Sequence, residues 1–151
     1  MIHNDRWSTL TYNPSKPPAP QDWSANSLFG EGQAIDEKAN NARDFFQRAD
    51  NKAADIDPRP GYVRLQETPA ENLLERNSNN VSGFMTPDGD LWAQAKVGDY
   101  NTTSTLTISN NGREVTMDRP VYVNNKYLPT LENLVYNGDG TRTYSSTYLQ
   151  A

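Results

Sequence analysis

Five carboxylates in the second half of the chain are the residues best suited to chemistry: Asp88, Asp90, Asp99, Glu114 and Asp118. Two such groups, one a general acid and the other a base or nucleophile, are enough to hydrolyse a glycosidic bond. Asp88 and Asp139, however, lie in Asp-Gly sequences, where the side chain usually hydrogen-bonds to the local backbone of a turn. We therefore expect turn residues there, and we do not favour an enzyme that uses a pair of carboxylates.

The other common catalytic and metal-binding side chains are scarce. The chain has one histidine, His3, and no cysteine, so catalytic triads and sites built on histidine or cysteine are effectively unavailable. The segments PDGD (87–90) and NGDG (137–140) are similar to calcium loops but lack the flanking helices of an EF-hand. No glycine-rich phosphate loop occurs. The sequence predicts a non-enzymatic protein with no cofactor and no metal.

Composition divides the chain at about residue 60. Of 151 residues, 34% are hydrophobic, and most of the large ones follow residue 60. We expect one domain with a substantial appendage, because only the second part has enough apolar side chains to bury a core. The net charge is −5 with scattered lysines and arginines, which disfavours nucleic acid as a partner. No apolar stretch is long enough for a signal peptide or a membrane span, so we expect synthesis in a cytoplasm and no membrane partner.

Residues 1–33 are predicted to form an extended arm. The segment NPSKPPAPQDW is rich in proline, which favours extended backbone. Four aromatic residues, unusual for a solvated tail, are spaced along the arm: Trp7, Tyr12, Trp23 and Phe29. Two interpretations remain open. The aromatic residues bind pockets on a partner, or they fold back onto the chain's own β domain.

Residues 34–57 are predicted to form one amphipathic helix. Seven apolar residues recur at alternating spacings of four and three, and we name them the seam: Ile35, Ala39, Ala42, Phe46, Ala49, Ala53 and Ile56. A seam with four alanines allows close approach of a neighbouring backbone. Packing on the chain's own sheet or on a partner is favoured over self-association, because the flanking charges do not suit a coiled coil. The seam and the arm are the predicted partner-binding residues.

Residues 61–151 are predicted to form an antiparallel β domain with a short helix near 69–76. YVRLQ reads as a strand, and Thr68-Pro69 followed by Glu71 is typical of a helix start. Turn residues about every twelve positions indicate hairpins. The predicted fold class is α+β: an extended arm, one amphipathic helix, and a mainly antiparallel meander, sandwich or small barrel.

The sequence predicts the turn positions of four hairpins and, for three of them, which residues pair. A two-residue Asn111-Gly112 turn places Ile108 opposite Val115 and Leu106 opposite Met117. The other three are centred on Asp88-Gly89, Asn124-Asn125 and Gly138-Asp139, and the first two of them pair Met85 with Trp92 and Tyr122 with Tyr127.

The organisation of arm, helix and β domain resembles small accessory proteins of phage virions, such as capsid decoration (cement) or tail-attachment components. That resemblance implies a structural role in a virion, with other structural proteins of the same assembly as partners; a homo-oligomer is a second option. The alternative is a carbohydrate- or surface-binding β module, in which tryptophan and tyrosine stack on sugar rings. Its candidate residues are Trp92, Tyr100, Tyr122, Tyr127, Tyr136, Tyr144 and Tyr148.

Overall fold

The computed structural model of the chain describes residues 4–12, 23–53, 58–97, 102–123 and 126–150, with side chains at 9, 11, 32–48, 58–97, 102–119 and 130–147. These residues form one helix and one antiparallel sheet. The elements in chain order are β1 (Asn4–Tyr12), α1 (Trp23–Ala53), β2 (Val63–Thr68), β3 (Ser78–Met85), β4 (Leu91–Val97), β5 (Thr103–Ser109), β6 (Glu114–Val123), β7 (Lys126–Tyr136) and β8 (Arg142–Gln150).

The eight strands form a single open sheet in the order β1-β8-β7-β6-β5-β4-β3-β2. From β2 to β8, each strand pairs with the next one in sequence, which is an up-and-down meander. The first strand in the chain, β1, joins the sheet beside the last, β8. The predicted α+β class with a mainly antiparallel β domain is confirmed, and the meander is the arrangement found among the three alternatives.

The helix α1 connects the two opposite edges of the sheet, because β1 and β2 are the edge strands. Its 31 residues span about 46 Å at 1.5 Å per residue. Eight strands spaced about 4.8 Å apart are about 34 Å wide. The helix is therefore long enough to cross the whole sheet, and it contacts β1 and β2 as well as β3, β6, β7 and β8.

The core lies between α1 and the inner face of the sheet, the face that the helix covers. Ile35, Ala39, Ala42 and Phe46 are fully buried there. They meet apolar side chains that alternate along the strands, as the two-residue period of a strand requires. These strand residues are Val63, Leu65, Val81, Leu91, Ala93, Ala95, Leu106, Ile108, Val115, Met117, Leu134 and Tyr144. The seam thus packs on its own domain, and its alanines let the helix lie close to the sheet.

The hairpin at Asn111-Gly112 has the predicted register. Leu106 pairs with Met117 and Ile108 pairs with Val115, and all four side chains are buried. Asn110, Asn111 and Gly112 have positive φ angles of 54°, 57° and 86°, so this turn needs residues that tolerate left-handed backbone.

Two further hairpins also agree with the sequence analysis. Tyr122 pairs with Tyr127 across the β6–β7 connection, as predicted for Asn124-Asn125. The Gly138-Asp139 region joins β7 to β8, with Tyr136 paired to Arg142.

The predicted register at Asp88-Gly89 is wrong by one residue. Met85 pairs with Leu91, and Trp92 pairs with Phe84. The physical reason is an additional turn residue: the backbone N–H of Thr86 donates to the carbonyl of Asp90 (2.8 Å), while the Thr86 hydroxyl accepts from the Asp90 N–H (3.2 Å). Because side chains alternate between faces, the shift places Trp92 on the outer face, away from α1.

The bounds of the first elements differ from those predicted. Residues 4–12 of the predicted arm form β1, and α1 begins at Trp23 instead of residue 34. Gly30 and Gly32, residues that disfavour a helix, lie inside α1. Each costs about 1 kcal/mol relative to alanine, but Gly32 is buried, so tertiary packing outweighs the local preference.

Residues 69–77 form a series of turns where a short helix was expected. Asn72 and Asn77 both have φ angles of 64°, which an α-helix does not accommodate. The Asn72 side-chain oxygen accepts a hydrogen bond from the backbone N–H of Asn77 at 2.7 Å, and this bond closes the loop. Leu74 is nevertheless buried, so the segment packs on the core.

Candidate functional site

The predicted partner-binding residues fall into two groups. Ile35, Ala39, Ala42 and Phe46 have no exposed surface, so they offer nothing to a partner in this conformation. For the others, the structure describes at most the backbone: Trp7 and Tyr12 lie in β1, and Trp23, Phe29, Ala49 and Ala53 lie in α1. Ile56 lies outside the described residues.

A buried ionic cluster joins the helix to the sheet on one side of the seam. We name it the Glu132 cluster, and its members are Lys38, Glu75, Arg119, Glu132 and Tyr144. Glu132 is only 1% exposed and accepts a 2.6 Å hydrogen bond from the fully buried Tyr144 hydroxyl. Arg119 Nε lies 2.6 Å from the other Glu132 oxygen. Arg119 also donates to Glu75 at 2.9 Å, and Lys38 of α1 lies 3.5 Å from the same Glu75 oxygen.

The electrostatics of the Glu132 cluster follow from burial and from the two carboxylates. Burial lowers the pKa of Lys38, and the neighbouring Arg119 charge lowers it further, against the opposing effect of Glu75 and Glu132. Burial acts against the charged form of Arg119 as well, but Glu132 and Glu75 together raise its pKa. Two cations and two carboxylates within one cluster compensate each other, which is what makes their burial tolerable.

A second cluster, the Asp36 cluster, holds the helix to the ends of β7 and β8. Asp36, itself 9% exposed, accepts a 2.9 Å hydrogen bond from the Tyr136 hydroxyl and lies 3.0 Å from Arg142 Nε. Arg43, two turns further along α1, donates to the carbonyl of Gly112 at 3.1 Å. The guanidinium carbons of Arg43 and Arg142 lie 5.3 and 5.1 Å from the Tyr136 ring centre, within cation–π range. Burial raises the pKa of Tyr136.

Both clusters hold the helix on the sheet. Their charged and hydroxyl groups contact one another between the helix and the strands. The clusters were not predicted from the sequence, although one signal was present: the predicted Tyr122–Tyr127 register also places Glu132 opposite the core residue Met117, as observed. An acidic residue at such a position requires a buried partner.

Two of the carboxylates considered as catalytic candidates hydrogen-bond to backbone or amide groups near the β5–β6 turn. Asp90 accepts from the backbone N–H of Gly112 (3.3 Å), and Glu114 accepts from Asn110 and Asn133 (both 2.8 Å). Asp88 and Asp118 are exposed, and Asp99 lies outside the described residues.

The turn interpretation of Asp139 is confirmed. It accepts from the Thr141 N–H (3.0 Å) and hydroxyl (2.6 Å), and these bonds lower the pKa of Asp139.

Among the side chains that the structure describes, an aromatic group lies on the outer face of the sheet, and we name it the Trp92 patch: Arg64, Phe84 and Trp92. The Phe84 and Trp92 rings stack with centres 6.4 Å apart and planes 22° apart. The Arg64 guanidinium lies 5.5 Å from the Phe84 ring centre. All three side chains are partly exposed. Gln94 and Thr105 lie beside the patch and share a 3.2 Å hydrogen bond, so its rim is polar and uncharged.

Among the described residues, no helix is long and apolar enough to cross a membrane, and no group of three or more histidine, cysteine, aspartate or glutamate side chains is arranged to hold a metal ion. The chain was compared with protein-family models, with curated proteins and with solved structures, and no match was found.

Proposed function

We propose that the chain is a non-enzymatic structural protein of a larger assembly, of the kind that phage virions carry as capsid decoration (cement) or tail-attachment components. In this proposal the protein is a component of the virion and binds other structural proteins of the same particle. The Trp92 patch is the observation that carries the proposal. Tryptophan and arginine are enriched in the energetically dominant residues of protein interfaces, usually inside a polar rim.

The position of the Trp92 patch suits docking on a flat surface. It lies on β2, β3 and β4, at the side of the sheet where the turns of residues 69–77 also lie. Its side chains belong to strands whose other face forms part of the buried core, so the fold holds the patch in place before a partner binds. Little conformational entropy is then lost on association.

The predicted arm is the second element of this proposal. Trp7, Tyr12, Trp23 and Phe29 remain candidate anchors for a neighbouring subunit. The seam is no longer part of the proposal, because the chain's own sheet covers Ile35 to Phe46.

The test is co-sedimentation of the chain with particles from its own source. We expect the wild-type protein to be recovered with the particles. Trp92→Ala should reduce recovery at least about tenfold, the effect of losing roughly 1.4 kcal/mol or more at an interface hot spot. Thr107→Ala, one strand away on the same face, is the matched control and should be recovered normally. Wild-type protein found only in the free fraction would contradict the proposal, and normal recovery of Trp92→Ala would exclude the patch.

The alternative function is binding of a neutral carbohydrate at the same patch. It is favoured by an aromatic pair that lies beside the hydrogen-bonding side chains Gln94 and Thr105. Two other candidate residues do not support it, because Tyr136 and Tyr144 face α1. A glycan array separates the two functions: saturable binding that Trp92→Ala abolishes and Thr107→Ala retains would favour the carbohydrate module.

A further inference from the structure

The two edges of the sheet are protected to very different degrees. The edge strand β2 has six residues, an irregular register between Leu65 and Thr68, and a positive φ angle of 37° at Glu67. Short length, bulges and charges are the features by which proteins keep an edge strand from pairing with another chain. The β2 edge therefore disfavours pairing with a strand of another chain.

The β1 edge is longer and has no bulge, and its two charged residues, Asp5 and Arg6, lie together near its start. Its nine residues pair with β8 without a register shift, from Asn4–Gln150 to Tyr12–Arg142. The sequence NDRWSTLTY contains no proline and no glycine. Within the described residues, no strand lies on the other side of β1. The outward-pointing N–H and C=O groups of this regular nine-residue strand therefore have no strand partner among the described residues, and such a row is a template for adding another strand.

The sequence of β1 is compatible with pairing to itself. Two copies related by a twofold axis perpendicular to the sheet would pair antiparallel and keep their outer faces on one side. Opposite residues must then share a face, so their numbers add up to an even number. When the numbers of paired residues add up to 16, all nine residues are paired and Ser8 lies opposite Ser8 of the other copy. Registers in which the numbers add up to 10 or 12 are disfavoured, because they place Asp5 opposite Asp5 or Arg6 opposite Arg6.

We propose that β1 pairs with β1 of a second copy of this chain, centred on Ser8, so that two eight-stranded sheets become one continuous sheet. This inference goes beyond the proposed function and does not depend on it, because the paired edge is at the opposite side of the sheet from the Trp92 patch. The dimer would carry two such patches on one continuous outer face.

The first experiment combines solution mass with cysteine cross-linking of the full chain. We expect light scattering to give twice the 17.0 kDa chain mass. Because the chain has no cysteine, Ser8→Cys introduces a single thiol. Opposite residues in an antiparallel pair lie within disulfide range, so oxidation should give a covalent dimer. Thr9→Cys is the register control: it lies opposite Trp7, and its cross-linking should be on the order of tenfold slower. Asn40→Cys, exposed on α1, should not cross-link.

The second experiment uses charge at the same position. Ser8→Lys places two like charges opposite each other and should weaken the dimer by about fivefold, the upper end of cross-strand charge effects. Ser8→Thr, a neutral strand-forming residue, should leave the dimer intact. An equimolar mixture of Ser8→Lys and Ser8→Glu should form heterodimers, because opposite charges then face each other. Circular dichroism and thermal melting check that each variant is folded.

A wild-type monomer would overturn the proposal. So would a dimer in which Ser8→Cys cross-links no faster than Thr9→Cys, because the contact would then lie elsewhere. If β1 does not form the dimer, recovery of the protein with particles can still depend on Trp92. If the protein does not bind particles, the Ser8→Cys cross-link can still form. The two proposals therefore fail independently.

Discussion

Two adjacent rows of side chains cross the sheet and differ in almost every respect. The inner row runs from β8 to β2 on the core face and consists of Tyr144, Leu134, Val115, Ile108, Leu91, Met85 and Val63. The outer row, one residue along each strand, consists of Thr9, Ser145, Asn133, Thr116, Thr107, Trp92, Phe84 and Arg64. The same backbone thus carries a continuous apolar layer on one face and a largely uncharged polar layer on the other.

The comparison shows where the fold places its charges. Charged side chains usually lie on the solvent face of a sheet, but here the Glu132 and Asp36 clusters lie between the sheet and the helix. Burial of such groups carries a desolvation cost that only well-placed partners offset. The seam of small alanines lets the helix approach closely but gives little resistance to sliding. We expect the clusters to fix the position of the helix, because each of their contacts holds in one arrangement only.

The largest expected effect on stability comes from a residue on the core side of α1. Phe46→Ala should lower the free energy of unfolding by about 3–5 kcal/mol, because it removes a fully buried ring and leaves a cavity under α1. Phe45→Ala is the matched control, since Phe45 is adjacent in sequence, contacts Phe46 edge to face, and is only partly buried. Urea denaturation measures both. Equal losses in the two variants would mean that the seam does not carry the helix–sheet contact.

The next effect tests the Glu132 cluster. Glu132→Gln should lower the free energy of unfolding by about 2–3 kcal/mol, because it removes the charge that faces Arg119. The loss should be smaller than the cost of removing one partner of a buried ion pair, which is about 3–5 kcal/mol, because Arg119 still pairs with Glu75. Glu114→Gln on the outer face is the control, with an expected loss of about 1 kcal/mol or less. A larger loss for Glu114→Gln would reverse the comparison of the two faces.

A third effect is a pH dependence that Lys38 introduces. The pKa of Lys38 is lowered in the folded protein from 10.5, so below pH 10.5 the unfolded chain binds more protons at this site. Stability should therefore rise with pH as the pH passes from the lowered pKa up to 10.5. Lys38→Met should remove this rise, whereas Lys96→Met on the outer face retains Lys38 and should keep it. Chemical denaturation between neutral and alkaline pH measures the difference, and identical profiles for the wild type and Lys38→Met would contradict it.

Local sequence signals predicted much of the sheet. Asn111-Gly112 allows only a tight turn, and the alternation of Leu106 and Ile108 with threonines then determines which residues face the core. The seam of α1 was predictable for the same reason, because a helix has a fixed period. In both cases the local geometry leaves few alternatives.

Features that depend on distant contacts were not predictable from local signals. The start of α1 at Trp23 overrides two glycines through tertiary packing. The register of β3 and β4 depends on the Thr86–Asp90 bonds, which widen the turn by one residue. The Glu132 cluster joins residues from α1, β6, β7, β8 and a loop. No sequence window contains all of them.

The smallest expected effect concerns the outer row. Thr107→Val should change the free energy of unfolding by no more than about 0.5 kcal/mol, because Thr107 is partly exposed and valine suits a strand equally well. Thermal and urea denaturation measure this change, with Ile108→Ala on the inner face of the same strand as the contrast. A loss of unfolding free energy above about 1 kcal/mol would mean that the Thr107 hydroxyl stabilises the fold. A neutral result would mean that stability does not require polar residues at this position, so any reason for them would lie in what the outer face contacts.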